Sequence, residues 1–258
     1  MPDNPHKQGI LAKESPDFLS YSRLYFWWKK NRVICDIVRR ELKSRNIKDI
    51  LDLGCGVGDD IFCLNSKYGA EFGLTFNGVD KNAEKIGFCE ARKDFRGDGN
   101  VRFSVGDIAD LELKDSSYDL VICSEVIEHL TRPSDAIREI KRVLKNNGVA
   151  VVSTPNKSNP MMRIRRSLWF LRSAKDGCRD TSDAGHISVS GLNDWVGVFK
   201  DEGFKIEKIC RGSLLFGGHQ IDPHRVLFLF VLFLDIVLDL LPFGKNWSEN
   251  VIFCLRKR

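Results

Sequence analysis

No Cys-x-x-Cys pair occurs among the eight cysteines, and no cysteine and histidine stand at the spacing of metal ligands. A structural zinc is therefore not expected, and thiols scattered in this way read as reduced and mostly buried, as in a cytosolic protein. Charge of one sign is not in great excess either. The 40 lysines and arginines against 35 acids leave +5, too mild a surplus to argue by itself for nucleic acid. Residues 1–18 carry Pro2, Pro5 and Pro16 but no apolar core of a secretory signal, so 1–20 is expected to be a flexible tail. The one unusual apolar run, 226–241, is sixteen residues long and is broken by Asp235 and Asp239. A bilayer span needs roughly twenty apolar residues, so a transmembrane segment is not expected. What is present suits one α/β domain: 258 residues, of which 43% are hydrophobic, enough to build a sizeable core.

The organising stretch is Ile50-Leu51-Asp52-Leu53-Gly54-Cys55-Gly56-Val57-Gly58, a short buried strand breaking into a glycine-rich turn, with a helix opening at Asp59-Asp60. Strand, tight turn and helix N-terminus together make a nucleotide-cofactor site. Gly54 and Gly56 let the backbone bend and a ligand approach with no Cβ in the way. A dinucleotide would set its pyrophosphate at the helix start, where Asp59 and Asp60 would repel it. A phosphate-free cofactor with a positive centre fits better. Phe76-Asn77-Gly78-Val79-Asp80 reads as a second strand ending in an acid, about twenty residues past the turn, where a carboxylate accepts both ribose hydroxyls. Val101 to Asp107 is a third strand, with Asp107 placed to take an adenine amino group.

Along the chain, an aromatic-rich helix is predicted over 24–42, then strand 48–53, helix 59–67, strand 76–80, helix 82–93, strands 101–105 and 118–123, helix 134–145 capped by Ser134, and strand 148–153. Gly69 to Thr75 reads as a connection. This alternation implies a mostly parallel, doubly wound sheet, because each crossover must cover one of its faces. After Asn156 the alternation fails. Residues 158–175, with Arg163, Arg165, Arg166 and Arg172 among Met161, Trp169 and Phe170, read as a basic amphipathic helix. A capped helix follows over 190–202, and 204–210 and 250–255 suit antiparallel closing strands.

The ordered motifs Asp-Leu-Gly-Cys-Gly-Val-Gly, Gly-Val-Asp, Gly-Asp-Ile and Tyr118-Asp119-Leu120-Val121-Ile122-Cys123-Ser124-Glu125-Val126-Ile127-Glu128-His129-Leu130 resemble those of class I S-adenosylmethionine-dependent methyltransferases. Glu128-His129 is similar to the same pair in ubiquinone-type O-methyltransferases. The resemblance implies a Rossmann-like, seven-stranded, mostly parallel sheet with an antiparallel closing strand and helical cap insertions. It implies one domain over 21–258, with substrate insertions at about 156–189 and 211–247.

On the same resemblance the donor, S-adenosyl-L-methionine, lies on Gly54, Cys55 and Gly56, with Asp52, Ser124 and Glu125 at its methionine ammonium, Asp80 on the ribose, Asp107 and the Ile108 backbone on adenine, and Lys81 as an added contact. His129 and His186 are the candidate bases, since a histidine titrates near neutral pH. His186, in Ala184-Gly185-His186-Ile187-Ser188, is similar to a histidine that relatives place facing the acceptor. Glu125, Glu128 and His129 fall at i, i+3 and i+4, so a divalent cation on one side of that turn is a weaker alternative to a metal-free site. Methylation of nucleic acid is disfavoured, because no Asn/Asp-Pro-Pro-Tyr follows the fourth strand and no Pro-Cys pair occurs.

The expectation is a methyltransferase of a small, apolar or lipid-like molecule, acting at oxygen, with nitrogen or carbon as alternatives and a non-catalytic donor-binding module as the competing class. The 226–241 helix is read first as a lid on the acceptor pocket and second as a membrane contact, shared with 158–175. A cytoplasmic protein follows from these readings, with peripheral membrane association as the alternative that the second reading carries, and oligomeric state is not legible.

Overall fold

The computed structural model describes residues 21–160, 187–213, 225–240 and 247–258. The predicted tail 1–20, most of the basic 158–175 segment and His186 lie outside the described residues.

Helix α1 (Tyr21–Ser44) precedes strand β1 (Asp49–Leu53), helix α2 (Asp59–Leu64), β2 (Thr75–Asp80), α3 (Ala83–Arg96), β3 (Val101–Val105) and β4 (Tyr118–Ser124). A short 3-10 turn, Ile127–His129, leads to α4 (Pro133–Val143), β5 (Leu144–Pro155), α5 (Leu192–Asp201), β6 (Phe204–Arg211), α6 (Arg225–Asp239) and β7 (Asn250–Lys257). The seven strands form one sheet in the order β3-β2-β1-β4-β5-β7-β6. β1 pairs in parallel with β2 and β4, so the connection reverses direction between them, and the crevice beyond their carboxyl ends is where an open α/β sheet binds its ligand. Only β7 runs against the rest. It is antiparallel to both β5 and β6, so β6, expected as a second reversed strand, points the same way as the parallel set.

The sequence also misplaced three local features. Residues 65–72 continue α2 through a π-helical turn, Asn65–Gly69, and a last turn, Ala70–Phe72, where a loop from Gly69 was expected. The apolar Tyr68 and Phe72 pack with Leu64 and Leu74 against the sheet, which outweighs the glycine at 69, and the helix stops at Gly73 in the left-handed region, φ 61°. α4 starts on Pro133 at its first turn with no side-chain cap from Ser134. Pro fits there because that N–H has no intrahelical partner. α5 is opened by Gly191, whose N–H donates to Asp194 Oδ2 at 2.9 Å, so Ser190 does not cap it.

Two apolar layers cover the sheet. One joins Leu51, Leu53, Val121, Val152 and Phe253 to α4 and α5, and the other joins Ile50, Phe76, Leu120, Val151 and Ile252 to α1 and α2. The alternation of neighbours along each strand between the two lists is the period of two expected of a sheet buried on both faces. The described cysteines are free thiols. Among the described residues the single His/Cys/Asp/Glu group compact enough for a metal is Glu41, Glu207 and Cys254, and Arg256 already pairs with both carboxylates, at 3.1 and 2.5 Å.

Phe199 is fully buried, with Trp195 at 6.0 Å and Phe253 at 4.9 Å between ring centroids. Phe199→Ala is expected to cost about 3–5 kcal/mol. At 2–4 °C per kcal/mol for a domain of this size, a thermal melt should fall by about 10 °C.

Candidate active site

The glycine turn is built from strain that only glycine tolerates. Gly54, Gly56 and Gly58 have φ of 70°, 56° and 77°, and the first two have different neighbours. A Cβ on Gly54 would stand 2.5 Å from a Val126 methyl, whereas a Cβ on Gly56 would meet nothing within 4 Å. Gly54 is thus packed by the loop after β4, and Gly56 faces open space at the mouth of the crevice. The Gly54 and Cys55 N–H groups donate to Val79 O at 2.7 and 3.0 Å, and Gly56 N–H donates to Asp80 Oδ2 at 2.9 Å. Asp80 Oδ1 accepts from Asn82 N–H at 2.9 Å. The carboxylate proposed for the ribose is therefore buried and oriented by backbone on both oxygens, each with a lone pair to spare. Gly106 N–H donates to Asp80 O at 3.2 Å, bringing the tip of β3 alongside. Asp107 is exposed there, its Oδ1 accepting from Ala109 N–H at 2.9 Å, while Ile108 is buried. Lys81 is exposed at the tip of β2.

Acids dominate the floor. Asp52 is buried, and burial together with the nearby Asp60 pushes its carboxyl well above the usual range. α2 begins with Asp59 and Asp60 and has no side-chain cap. An open glycine cradle ringed by Asp52, Asp60 and Asp80 repels phosphate and suits a cationic sulfonium nucleoside. The residues present thus fit S-adenosylmethionine: Asp80 and Asp107 for the nucleoside, Gly54, Cys55 and Gly56 beneath it, Asp52 toward the cation.

A second, deeper set of polar groups joins this floor at the tips of β4, β5 and β7. Lys30 of α1, 1% exposed, donates to Ser124 Oγ at 2.7 Å and lies 3.8 Å from Asp60. Ser124 Oγ is 3.1 Å from Ser153 Oγ, which donates to Glu125 Oε1 at 2.7 Å. The same oxygen accepts from Asn250 Nδ2 at 3.2 Å. Glu125 has φ 57°, a left-handed strain in a non-glycine residue of the kind stored at functional sites. Its N–H is fixed by Ser153 O at 3.0 Å.

Beside this chain Glu128 is fully buried, and among the described residues neither of its carboxyl oxygens has a hydrogen-bond partner; Thr154 Oγ1 and Asn250 Oδ1 are likewise buried and unsatisfied there. Thr154 is near enough to Glu128 to bias its titration, without hydrogen-bond geometry. Burial first, then Glu125, pushes the Glu128 carboxyl up to about 9.

The structure separates residues that the sequence placed together. The turn after β4 is a 3-10 turn that buries Glu128 and exposes His129, so Glu125, Glu128 and His129 do not share one face for a divalent cation. His129 sits at the rim. The loop that follows His186 adjoins the same turn, since Ile187 and Ser188 N–H donate to Glu128 O at 2.8 and 2.9 Å. Lys30 and Asn250, missing from the sequence reading, come from distant elements. The one early signal for Lys30 was a lysine inside the apolar stripe of α1.

A family model described as a methyltransferase domain matches residues 45–201. Ajmaline N-methyltransferase of Rauvolfia serpentina is 30% identical over 218 residues, 82% of this chain and 69% of that protein. A probable S-adenosylmethionine-dependent methyltransferase of Mycolicibacterium smegmatis is 30% identical over 136 residues, 51% of this chain and 46% of that protein. The chain thus spans about half the length of the first curated relatives it matches. Among solved structures, a putative sarcosine dimethylglycine methyltransferase from Galdieria sulphuraria superposes with a TM-score of 0.62 at 16% identity, over 89% of this chain and 86% of that one. Geranyl diphosphate methyltransferase with GPP and sinefungin gives 0.59 at 15% identity, over 88% and 79%. These two show a shared fold. The chain belongs to the methyltransferase-domain family, and its domain is that of an S-adenosylmethionine-dependent methyltransferase, with S-adenosylmethionine as cofactor.

Two measurements test the site. Gly54→Ala should unfold or melt far lower, because its methyl meets Val126. Gly56→Ala should fold yet lose at least about tenfold in donor affinity by calorimetry, since its methyl enters the cradle and adds strain of roughly 1–2 kcal/mol. Glu128, near 4.5 when unfolded and about 9 when folded, keeps a proton that the unfolded chain releases, so stability present at pH 4.5 is lost progressively as pH rises toward 9. Glu128→Gln should flatten that decline in unfolding experiments between pH 5 and 8.

Proposed function

We propose that this protein transfers the methyl group of S-adenosylmethionine to a small molecule with an apolar, lipid-like body, and that the attacking atom is oxygen. The observation that carries the reading is the buried polar chain Lys30–Ser124–Ser153–Glu125–Asn250, which continues the donor floor inward beside the buried Glu128 carboxyl, unsatisfied among the described residues. Transfer from a sulfonium is an in-line displacement, so the protein contributes mainly by aligning donor and acceptor and keeping water out. Acids near the donor stabilise the sulfonium, and their buried partners fix their positions.

The apolar body is supported by α1, which sends Lys30 into the site while leaving Leu24, Trp27 and Trp28 exposed at its start. His129, exposed at the rim, supplies the base for a hydroxyl acceptor, with His186, outside the described residues, as the second candidate.

A second reading, transfer to nitrogen, is favoured by the buried Glu128 carboxyl, whose oxygens have no partner among the described residues and suit the N–H of a neutral amine, the form that holds the attacking lone pair. Two relatives named as N-methyltransferases, of ajmaline and norajmaline, are in keeping with it.

The test is incubation with methyl-labelled donor and, separately, extracted lipids and small amines. Label in ether or ester products of the lipid fraction supports the first reading, label in amines the second, and none in either rejects both. On the first reading His129→Ala or His186→Ala should lower turnover by about 10²–10⁴ with donor affinity unchanged.

A further inference from the structure

Helix α6 is built inside out. Its two acids face the protein: Asp235, 1% exposed, meets Lys29 and Arg211 at 2.5 Å each and accepts from Tyr25 Oη at 2.7 Å. Asp239 meets Lys29 at 2.8 Å and Arg211 at 2.6 Å. With its polar side anchored inward, the helix turns Val226, Leu229, Phe230, Phe233 and Ile236 outward, each more than half exposed, and Leu240 beyond its end is 82% exposed. These residues recur at intervals of three and four, which makes them one stripe. Through Tyr25 and Lys29 the inward side of the helix is tied to α1, where Leu24, Trp27 and Trp28 are also exposed and the Arg32 guanidinium stacks 5.4 Å over Trp28.

The composition of the stripe decides the occupant. From Val226 to Ile236 its exposed side chains offer no hydrogen-bonding group, whereas a protein–protein interface carries a polar rim and about one hydrogen bond per 100–200 Å². A lipid surface asks for none. Its fifteen residues extend about 22 Å, short of the roughly 30 Å hydrocarbon core, and no described helix is long and apolar enough to cross a membrane. Tryptophans with a stacked arginine at the border are the side chains that settle at headgroup level, and the exposed Arg32 guanidinium over Trp28 is a charge that an anionic leaflet attracts.

We propose that α6 and the start of α1 form a monotopic docking face, with α6 lying parallel to an anionic membrane in its headgroup layer. The face does not depend on the methyl acceptor, so it is tested without donor or acceptor, and its failure leaves the assignment of methyl transfer untouched.

The full chain would be sedimented with vesicles of phosphatidylcholine and phosphatidylglycerol, and with phosphatidylcholine alone. Wild type should partition onto the anionic vesicles, less onto the neutral ones, and less again in high salt. Phe230→Gln with Phe233→Gln, changing exposed positions to a good helix former, should cut partition at least about tenfold, with melting temperature and donor affinity unchanged. Failure to sediment with either vesicle overturns the proposal, as does a double variant that binds like wild type. Equal binding to both vesicles overturns the anionic preference. A dimer in light scattering that the double variant splits overturns the membrane as occupant in favour of a second copy.

Discussion

The site depends on a backbone tie between the tips of β1 and β2. Gly54 and Cys55 give both their N–H groups to Val79 O, and Gly56 gives its own to Asp80. Three consecutive donors are thereby spent on the neighbouring strand, where a phosphate-binding turn would aim them at a ligand. Acids at the start of α2 then cost nothing in lost anion binding, and the cradle is free to carry negative charge. Selection of a sulfonium over a dinucleotide thus follows from where three amide hydrogens point. The parallel order of the sheet places that tie at the point where the connection reverses, beside β4, so the donor floor and the Ser124–Glu125 chain share one crevice.

Helix α1 joins this crevice to the outer face. Lys29 and Lys30 are adjacent, about 100° apart around the helix. One reaches Asp235 and Asp239 of α6, and the other reaches Ser124. Both lysines are nearly buried, and each is compensated, so a shift of α1 large enough to free one disturbs the other. Removing one partner of such a buried pair costs about 3–5 kcal/mol, which ties the position of α6 to the condition of the donor site.

The donor half of the site was legible in the sequence because each of its parts is local. A glycine turn, a strand-ending Asp80 and a strand-ending Asp107 can be read within windows of a few residues, and their order supplies the rest. Of the deeper half only Ser124 and Glu125, at the end of the fourth strand, were legible, since Lys30, Ser153 and Asn250 come from three other elements and join them only after the sheet closes. Glu128 and His129 show the limit at short range. Their i, i+1 spacing says that they diverge, but which one turns inward is decided by a 3-10 turn that no residue in it announces. The end of α2 was misread for a similar reason: Gly69 reads as a stop, while Tyr68 and Phe72 have apolar neighbours that keep the helix going.

For α6 the composition does not by itself set which side faces the protein. A helix with apolar residues all round and two acids four apart suggests that the acids face water. That holds only if nothing cationic waits beneath. Here Lys29, some two hundred residues away in sequence, and Arg211 from the end of β6 both sit under the helix. Burial alone would raise the Asp235 carboxyl, but the two cations hold it below its usual range, so it remains ionised and the helix cannot roll over without stranding two cations. The orientation is thus fixed by the most expensive groups to desolvate, and the apolar stripe points outward as a consequence. A stripe of this kind on a water-facing surface brings no stability to the isolated chain, and contiguous patches of that sort mark contact sites.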